Sequence, residues 1–136
     1  VTDTPTVTLP EELLSLLRRA SPCFIATTMP DGSPQMTQTW VDTDGEHVVI
    51  NTVEGYQKTK NVARDPRVAV SVIDPARPSR YYEIRGRVTN STTHGGEDHI
   101  EALAQRYLGR SYPRYGGSEQ VRVILTISVD KINVMG

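Results

Sequence analysis

A mainly β domain, with six strands closing into a small barrel and three short flanking helices, is the fold class the sequence predicts. Three observations carry that expectation. Apolar residues alternate in short runs, most strictly at Val121, Val123, Leu125, Ile127 and Val129, which is the period of a strand with one buried face. Turn signals punctuate those runs, as at Met29-Pro30-Asp31-Gly32 and Asp44-Gly45, where proline fixes φ and glycine accepts a left-handed backbone. A length of 136 residues is enough for one core and too short for two.

The elements follow in order. Residues 1–8 are rich in Thr and Pro and almost free of large apolar side chains, so they read as a flexible N-terminal arm, with one domain over residues 9–136. Pro10, Glu11 and Glu12 suit a first helical turn, and Leu13, Leu14, Leu16 and Leu17 give the apolar face of a short helix over residues 10–19. Residues 23–28 form a first strand. Residues 34–42 form a second, with Met36, Trp40 and Val41, and residues 47–52 a third, so that the three are expected to run as a meander. Residues 54–65 lose the alternation and end before Pro66, as a loop and a short helix would. Val68, Val70 and Val72 mark a fourth strand. Tyr82, Ile84 and Val88 mark a fifth across Gly86, which signals a bend or a close backbone approach. Ile100, Leu103, Ala104, Tyr107 and Leu108 have helical spacing, and Gly109 is placed to end that helix. Residues 110–117 form an aromatic loop with Tyr112 and Tyr115, fit for a lid or a dimer contact. In the last strand the alternation shifts after Val129 to Ile132 and Val134, as a bulge near Asp130-Lys131 would produce.

Composition narrows the function. Fifteen basic against sixteen acidic residues give a net charge of −1, so no positive field favours nucleic acid. No apolar stretch reaches the roughly 18 residues that span a bilayer, and the start of the chain lacks the layout of a signal peptide; a cytoplasmic protein without membrane or nucleic-acid partners is expected. The single cysteine, Cys23, lies beside Phe24 and Ile25 and reads as a buried thiol. His94 and His99 are five apart, off a common helical face, so no metal site is expected. Nucleophile elbows, phosphate loops and dinucleotide fingerprints are missing from the sequence.

What stands out is the segment from Asn51-Thr52 through Gly55 to Lys58-Thr59-Lys60-Asn61. It leads from a strand end through a glycine turn into a helix start, and so gathers hydroxyl, amide and ammonium donors suited to a phosphate. On a helix, Lys58, Asn61 and Val62 share one face while Lys60 and Arg64 share the other, and apolar Val62 favours Lys58 as the inward lysine. A solvated basic helix balanced by Glu54 and Asp65 explains the same residues equally well.

These residues, with the turn at 28–35 and Arg64-Asp65-Pro66-Arg67, resemble the split β-barrel family of pyridoxamine-phosphate-oxidase-like proteins (the FMN-binding split barrel). The nearest likeness is to its actinobacterial branch, the deazaflavin-dependent (coenzyme F420) oxidoreductases. The likeness runs from about residue 9 to residue 134. It implies a homodimer with cofactors in clefts between subunits. By position, Gln35, Met36 and Thr37 would line the ring, Thr52, Lys58, Asn51 and Lys60 would hold the phosphate, and the partner subunit would present Tyr81. Two departures stand out. Relatives often carry arginine where this chain has Tyr56, which implies less positive charge and favours the phosphodiester of the deazaflavin over FMN. The chain also ends at Met135-Gly136 without the Arg- and His-bearing segment that pyridoxamine phosphate oxidases use on substrate, so that activity is not expected.

The resemblance therefore implies a reductase that passes a hydride from the reduced deazaflavin to an electron-poor conjugated molecule, such as an enone, a quinone or a tetrapyrrole-like pigment, held near Trp40, Tyr112 or Tyr115. An FMN-dependent oxidase or reductase and a non-catalytic F420 carrier are the competing expectations.

Overall fold

A computed structural model describes residues 7–136 of the chain; residues 1–6, most of the expected N-terminal arm, lie outside the described part. Val7 already belongs to the fold, its N–H donating to the carbonyl of Val129 at 3.0 Å. In chain order the elements are α1 (Glu11–Leu17), β1 (Cys23–Thr28), β2 (Pro34–Thr39), β3 (Val41–Thr43), β4 (Val48–Val53), α2 (Gln57–Arg64), β5 (Arg67–Ile73), β6 (Tyr81–Thr92), α3 (Gly96–Leu108) and β7 (Arg122–Met135). The mainly β class and the three helices stand as expected from the sequence.

The strand count and one connection are corrected. The stretch read as one strand over residues 34–42 breaks at Trp40 into β2 and β3, giving seven strands instead of six. The sheet order is β2-β1-β5-β6-β7-β4-β3, antiparallel at every junction. The first strands therefore do not form a simple meander: β2 pairs with β1 at one edge, while β3 pairs with β4 at the other. Only Trp40 separates β2 from β3, so the sheet must curl until its two edges meet at that corner. That curl makes the barrel, and the seam where it is split.

Alternation drives the burial. Val68, Val70 and Val72 of β5, Tyr82 and Ile84 of β6, and Val123, Leu125, Ile127 and Val129 of β7 all point into one core with Ile25, Val48 and Ile50. Leu13, Leu16 and Leu17 of α1 are fully buried against it. Gly86 is present because β7 comes close: a Cβ there would lie 2.3 Å from the Ser128 carbonyl oxygen. Asp130 is the residue skipped where β6 and β7 shift register, as the sequence pattern indicated, and a second irregularity near Thr89 left no mark in the pattern. Gly109 caps α3 with φ 71°, a left-handed value that suits glycine.

Helix α3 closes the seam. The Tyr107 hydroxyl accepts the Val41 N–H (3.2 Å) and donates to the Ser21 carbonyl (2.7 Å), while Arg106 Nη1 donates to the carbonyls of Leu17 and Val41. Edge groups of β3 that no strand pairs are thus satisfied by side chains. Among the described residues no helix is long and apolar enough to cross a membrane.

Candidate functional site

A cleft of about 560 Å³ opens where the seam, the end of β4, the start of α2, the start of β7 and the loop after α3 converge. Its size lies within the usual range for small-molecule sites. One wall is aromatic. Trp40 stacks on Tyr107 with centroids 5.2 Å apart, meets Tyr112 edge-on at 6.2 Å, and Tyr112 in turn meets Tyr115 edge-on at 5.7 Å. Local chemistry explains this wall: the Trp40 corner must turn the chain between two sheet edges, and the loop after Gly109 is tied down by its own polar contacts. Glu101 accepts the Tyr112 N–H, and Gln120 donates to the Tyr56 hydroxyl at 2.6 Å.

The opposite wall is cationic. Lys58 lies one residue inside α2, partly buried, and its ammonium donates to Thr37 Oγ1 at 3.3 Å. Arg122, at the first position of β7, is only 8% exposed. Its guanidinium donates to Asn51 Oδ1 at 3.3 Å, to Gln120 Oε1 at 3.3 Å and to the Tyr112 hydroxyl, and it lies 4.6 Å from the Tyr112 ring centroid. Among the described residues neither Lys58 nor Arg122 forms a salt bridge with a carboxylate. Burial first, and then the charge of Arg122, push the Lys58 pKa below its ordinary value. Two desolvated like charges without a counter-ion are costly to the free protein, and the cost is recovered when an anion enters. Thr52, 1% exposed, donates its hydroxyl hydrogen to Thr59 Oγ1 at 3.1 Å, because the Thr59 hydroxyl itself donates to the Val53 carbonyl at 2.7 Å.

Behind this wall runs a buried polar chain. Asn51 Nδ2 donates to the Gly96 carbonyl and lies 3.0 Å from His99 Nδ1. His99 Nε2 lies 3.0 Å from Asp42 Oδ2, and Arg106 donates to Asp42 Oδ1 at 3.0 Å. Burial opposes the charge of Asp42, but hydrogen bonds from His99, the Thr43 N–H and Arg106 outweigh it and hold the carboxyl below its ordinary pKa.

The sequence matches the pyridoxamine 5'-phosphate oxidase family over residues 9–136. The chain belongs to that family. Among solved structures, an F420 reductase is similar with 33% identity and a TM-score of 0.80, the alignment covering 92% of this chain and 98% of that one. HupZ of Group A Streptococcus is 19% identical (TM-score 0.67, 93% of each chain). General Stress Protein 26 of Bacillus anthracis is 16% identical (TM-score 0.67, 92% of each chain). These last two share the fold. No curated protein matches this chain in sequence.

Within this member of the pyridoxamine 5'-phosphate oxidase family, the residues named from the sequence fall into three groups. Asn51, Thr52 and Lys58 line the cleft, and Thr37 touches it through Lys58. Gln35 lies beside them in a separate cluster, its Oε1 accepting from Thr27 and Asn61 at 3.2 and 3.4 Å. Met36, Lys60 and Tyr81 lie outside the cleft: Met36 is 69% exposed on the other face of β2, Lys60 is exposed on α2, and Tyr81 begins β6 at the Met135 end of β7. Val62 and Asn61 are buried, which turns α2 so that Lys58 faces in and Lys60 out.

Sequence reasoning missed Arg122. It also read Tyr56 as a loss of positive charge, whereas Arg122 brings a second cation to the cleft from the far end of the chain. The place of Arg122 in the sequence gives no sign of this, because the face it shares with Ile124, Thr126 and Ser128 reads as the solvated side of an alternating strand. Cys23 is fully buried, and desolvation pushes its thiol up to about 12, in keeping with an inert thiol. Among the described residues no cluster of three metal-ligating side chains occurs.

Proposed function

We propose that the chain is a deazaflavin-dependent reductase, taking coenzyme F420 in the cleft and passing a hydride to an electron-poor conjugated acceptor. The observation that carries the reading is the pairing of two uncompensated cations, Lys58 and Arg122, with the aromatic wall of Trp40, Tyr107 and Tyr112 in one cleft. A flat, anionic cofactor fits that donor set: ammonium and guanidinium for a phosphate, aromatic faces for a ring. The 33% identity to an F420 reductase along nearly the whole chain supports the deazaflavin over other ligands of the fold.

When bound, the reduced deazaflavin supplies the hydride. Lys58 and Arg122 fix the phosphate and hence the register of the ring in the cleft. Trp40, Tyr107 and Tyr112 exclude water from the acceptor's side. Tyr107 is not the source of the proton that must accompany the hydride, because its hydrogen is committed to the Ser21 carbonyl and burial raises its pKa to about 12. The Tyr112 hydroxyl accepts from Arg122 and has no acceptor of its own among the described residues, so its hydrogen is free for the reduced acceptor. A homodimer completes the reading. Tyr81, Val134 and Met135 leave apolar surface exposed at the ends of β6 and β7, which suits a partner subunit bringing Tyr81 to the cleft.

The test is a titration of the apo-protein with oxidised coenzyme F420 and, separately, FMN, following Trp40 fluorescence, with sedimentation for the dimer. Micromolar or tighter F420 binding, about −8 kcal/mol, and oxidation of the reduced coenzyme by a quinone or enone are expected. Preference for FMN moves the protein to flavin chemistry. Tight F420 binding without turnover of any acceptor makes it a carrier.

A further inference from the structure

Arg122 keeps its charge uncompensated because the group that anchors it, Asn51, is neutral, and the reason Asn51 offers oxygen runs through two further residues. A guanidinium only donates, so the Asn51 atom 3.3 Å from Arg122 is its oxygen. The amide nitrogen then faces two acceptors, the Gly96 carbonyl and His99 Nδ1. For the second bond to form, Nδ1 must carry a lone pair. His99 Nε2 lies 3.0 Å from Asp42, and a carboxylate only accepts, so the imidazole hydrogen sits on Nε2. Arg106 holds the other carboxylate oxygen, which fixes Asp42 in turn.

We propose that Asp42 and His99 are positioning residues for the anion site: Asp42 selects the Nε2–H form of His99, whose free Nδ1 orients Asn51 so that its oxygen holds Arg122 in the cleft. The inference rests on the cleft being a phosphate site, as in the function proposed above. Direction passes along the chain as donor-acceptor parity. Every group from Arg106 to Arg122 has its partners, no buried side-chain polar atom among the described residues is unpaired, and reversing one link sets two donors against each other at the next. A network that served only to glue α3 to β3 and β4 would lose stability when the hydrogen moves to Nδ1 but would leave phosphate affinity unchanged.

Asp42→Asn tests this with almost no change of shape. Arg106 claims the remaining oxygen, so the new amide nitrogen faces His99 Nε2 and drives the imidazole hydrogen to Nδ1. There it meets the amide hydrogens of Asn51. His99→Asn supplies the rescue, since the asparagine oxygen occupies the place of Nδ1 and accepts from Asn51 whatever stands at position 42. The experiment records the His99 tautomer by nitrogen-15 NMR and titrates the folded proteins with inorganic phosphate, followed through Trp40. Wild type is expected as Nε2–H. In Asp42→Asn the hydrogen moves to Nδ1 and phosphate affinity falls about tenfold, the effect of one lost hydrogen bond to a charged group. His99→Asn keeps near-wild-type affinity, and Asp42→Asn added to it has no further effect.

A wild-type Nδ1–H tautomer, unchanged phosphate affinity after the tautomer has switched, an equal loss in the His99→Asn background, or a wild-type cleft that takes up no phosphate would each overturn the inference. If Asp42→Asn does not fold, loss of affinity in His99→Asn overturns it on its own. Phosphate binding that follows this pattern without binding of F420 leaves the inference standing and removes the deazaflavin.

Discussion

Replacing Lys58 with alanine should lower ligand affinity while leaving protein stability nearly unchanged, and the structure gives the size of both. In the free protein the ammonium is partly buried, lies near Arg122, and has one long hydrogen bond to Thr37 at 3.3 Å. Losing that bond costs about 0.5–1.5 kcal/mol, and removing a desolvated charge that faces a like charge returns a comparable amount. Net stability is therefore expected to stay within about 1 kcal/mol of wild type. The bound state loses a charge-assisted hydrogen bond to phosphate worth about 1.5–3 kcal/mol, a fall in affinity of roughly 10- to 150-fold. Thermal or urea unfolding gives the first quantity, and titration with F420 followed by Trp40 fluorescence gives the second. A folded variant with affinity within twofold of wild type removes Lys58 from the site. Destabilisation by several kcal/mol, with affinity lost in proportion, would instead mean that Lys58 is a structural residue.

Three more expectations follow from the same geometry. The charged form of Lys58 binds the anion, so affinity falls as pH rises through its pKa; because that pKa is lowered, the fall begins below the ordinary lysine range. Calorimetric titration from neutral to about pH 10 checks this, and Lys58→Arg, charged throughout, should lose that alkaline limb. Gly86→Ala would place a Cβ 2.3 Å from the Ser128 carbonyl oxygen and should destabilise by about 1–3 kcal/mol; an unchanged Tm would show that the strands part freely there. Cys23 is fully buried and its thiol is pushed up to about 12, so a thiol reagent should label it only as fast as the protein unfolds; rapid labelling of the native protein would contradict that burial.

What the sequence made legible was local. The valines of β5, the odd-numbered residues of β7 and the bulge at Asp130 are periodic signals, and each fixes a face without knowledge of the partner strand. Val62 made the inward lysine of α2 legible in the same way. The break at Trp40 was not legible, because the extended conformation continues on both sides of it and only the partner changes. Which edge β3 joins is decided by Val41, Asp42 and Thr43 meeting β4, and by α3 sealing Val41. Arg122 was hidden for a related reason: an even-numbered residue on an alternating strand reads as solvated, and its cover comes from residues near 96 and 112. The Asp42, Asn51, His99 and Arg122 chain joins four separate elements, so no window of sequence contains it.

The placement of β7 between β6 and β4 has a kinetic consequence. Val48 must find Ile127, and Cys23 must find Val72, before the local β3-β4 and β1-β2 hairpins join the rest of the sheet. Such long loops put the chain among topologies that fold in milliseconds to seconds rather than microseconds. During synthesis the half that carries Lys58 emerges well before the half that carries Arg122. Until β7 has left the ribosome and inserted, β4 has one unpaired edge and the cleft has one of its two cations. Under the function proposed above, capture of an anionic ligand at full affinity therefore waits for a complete sheet.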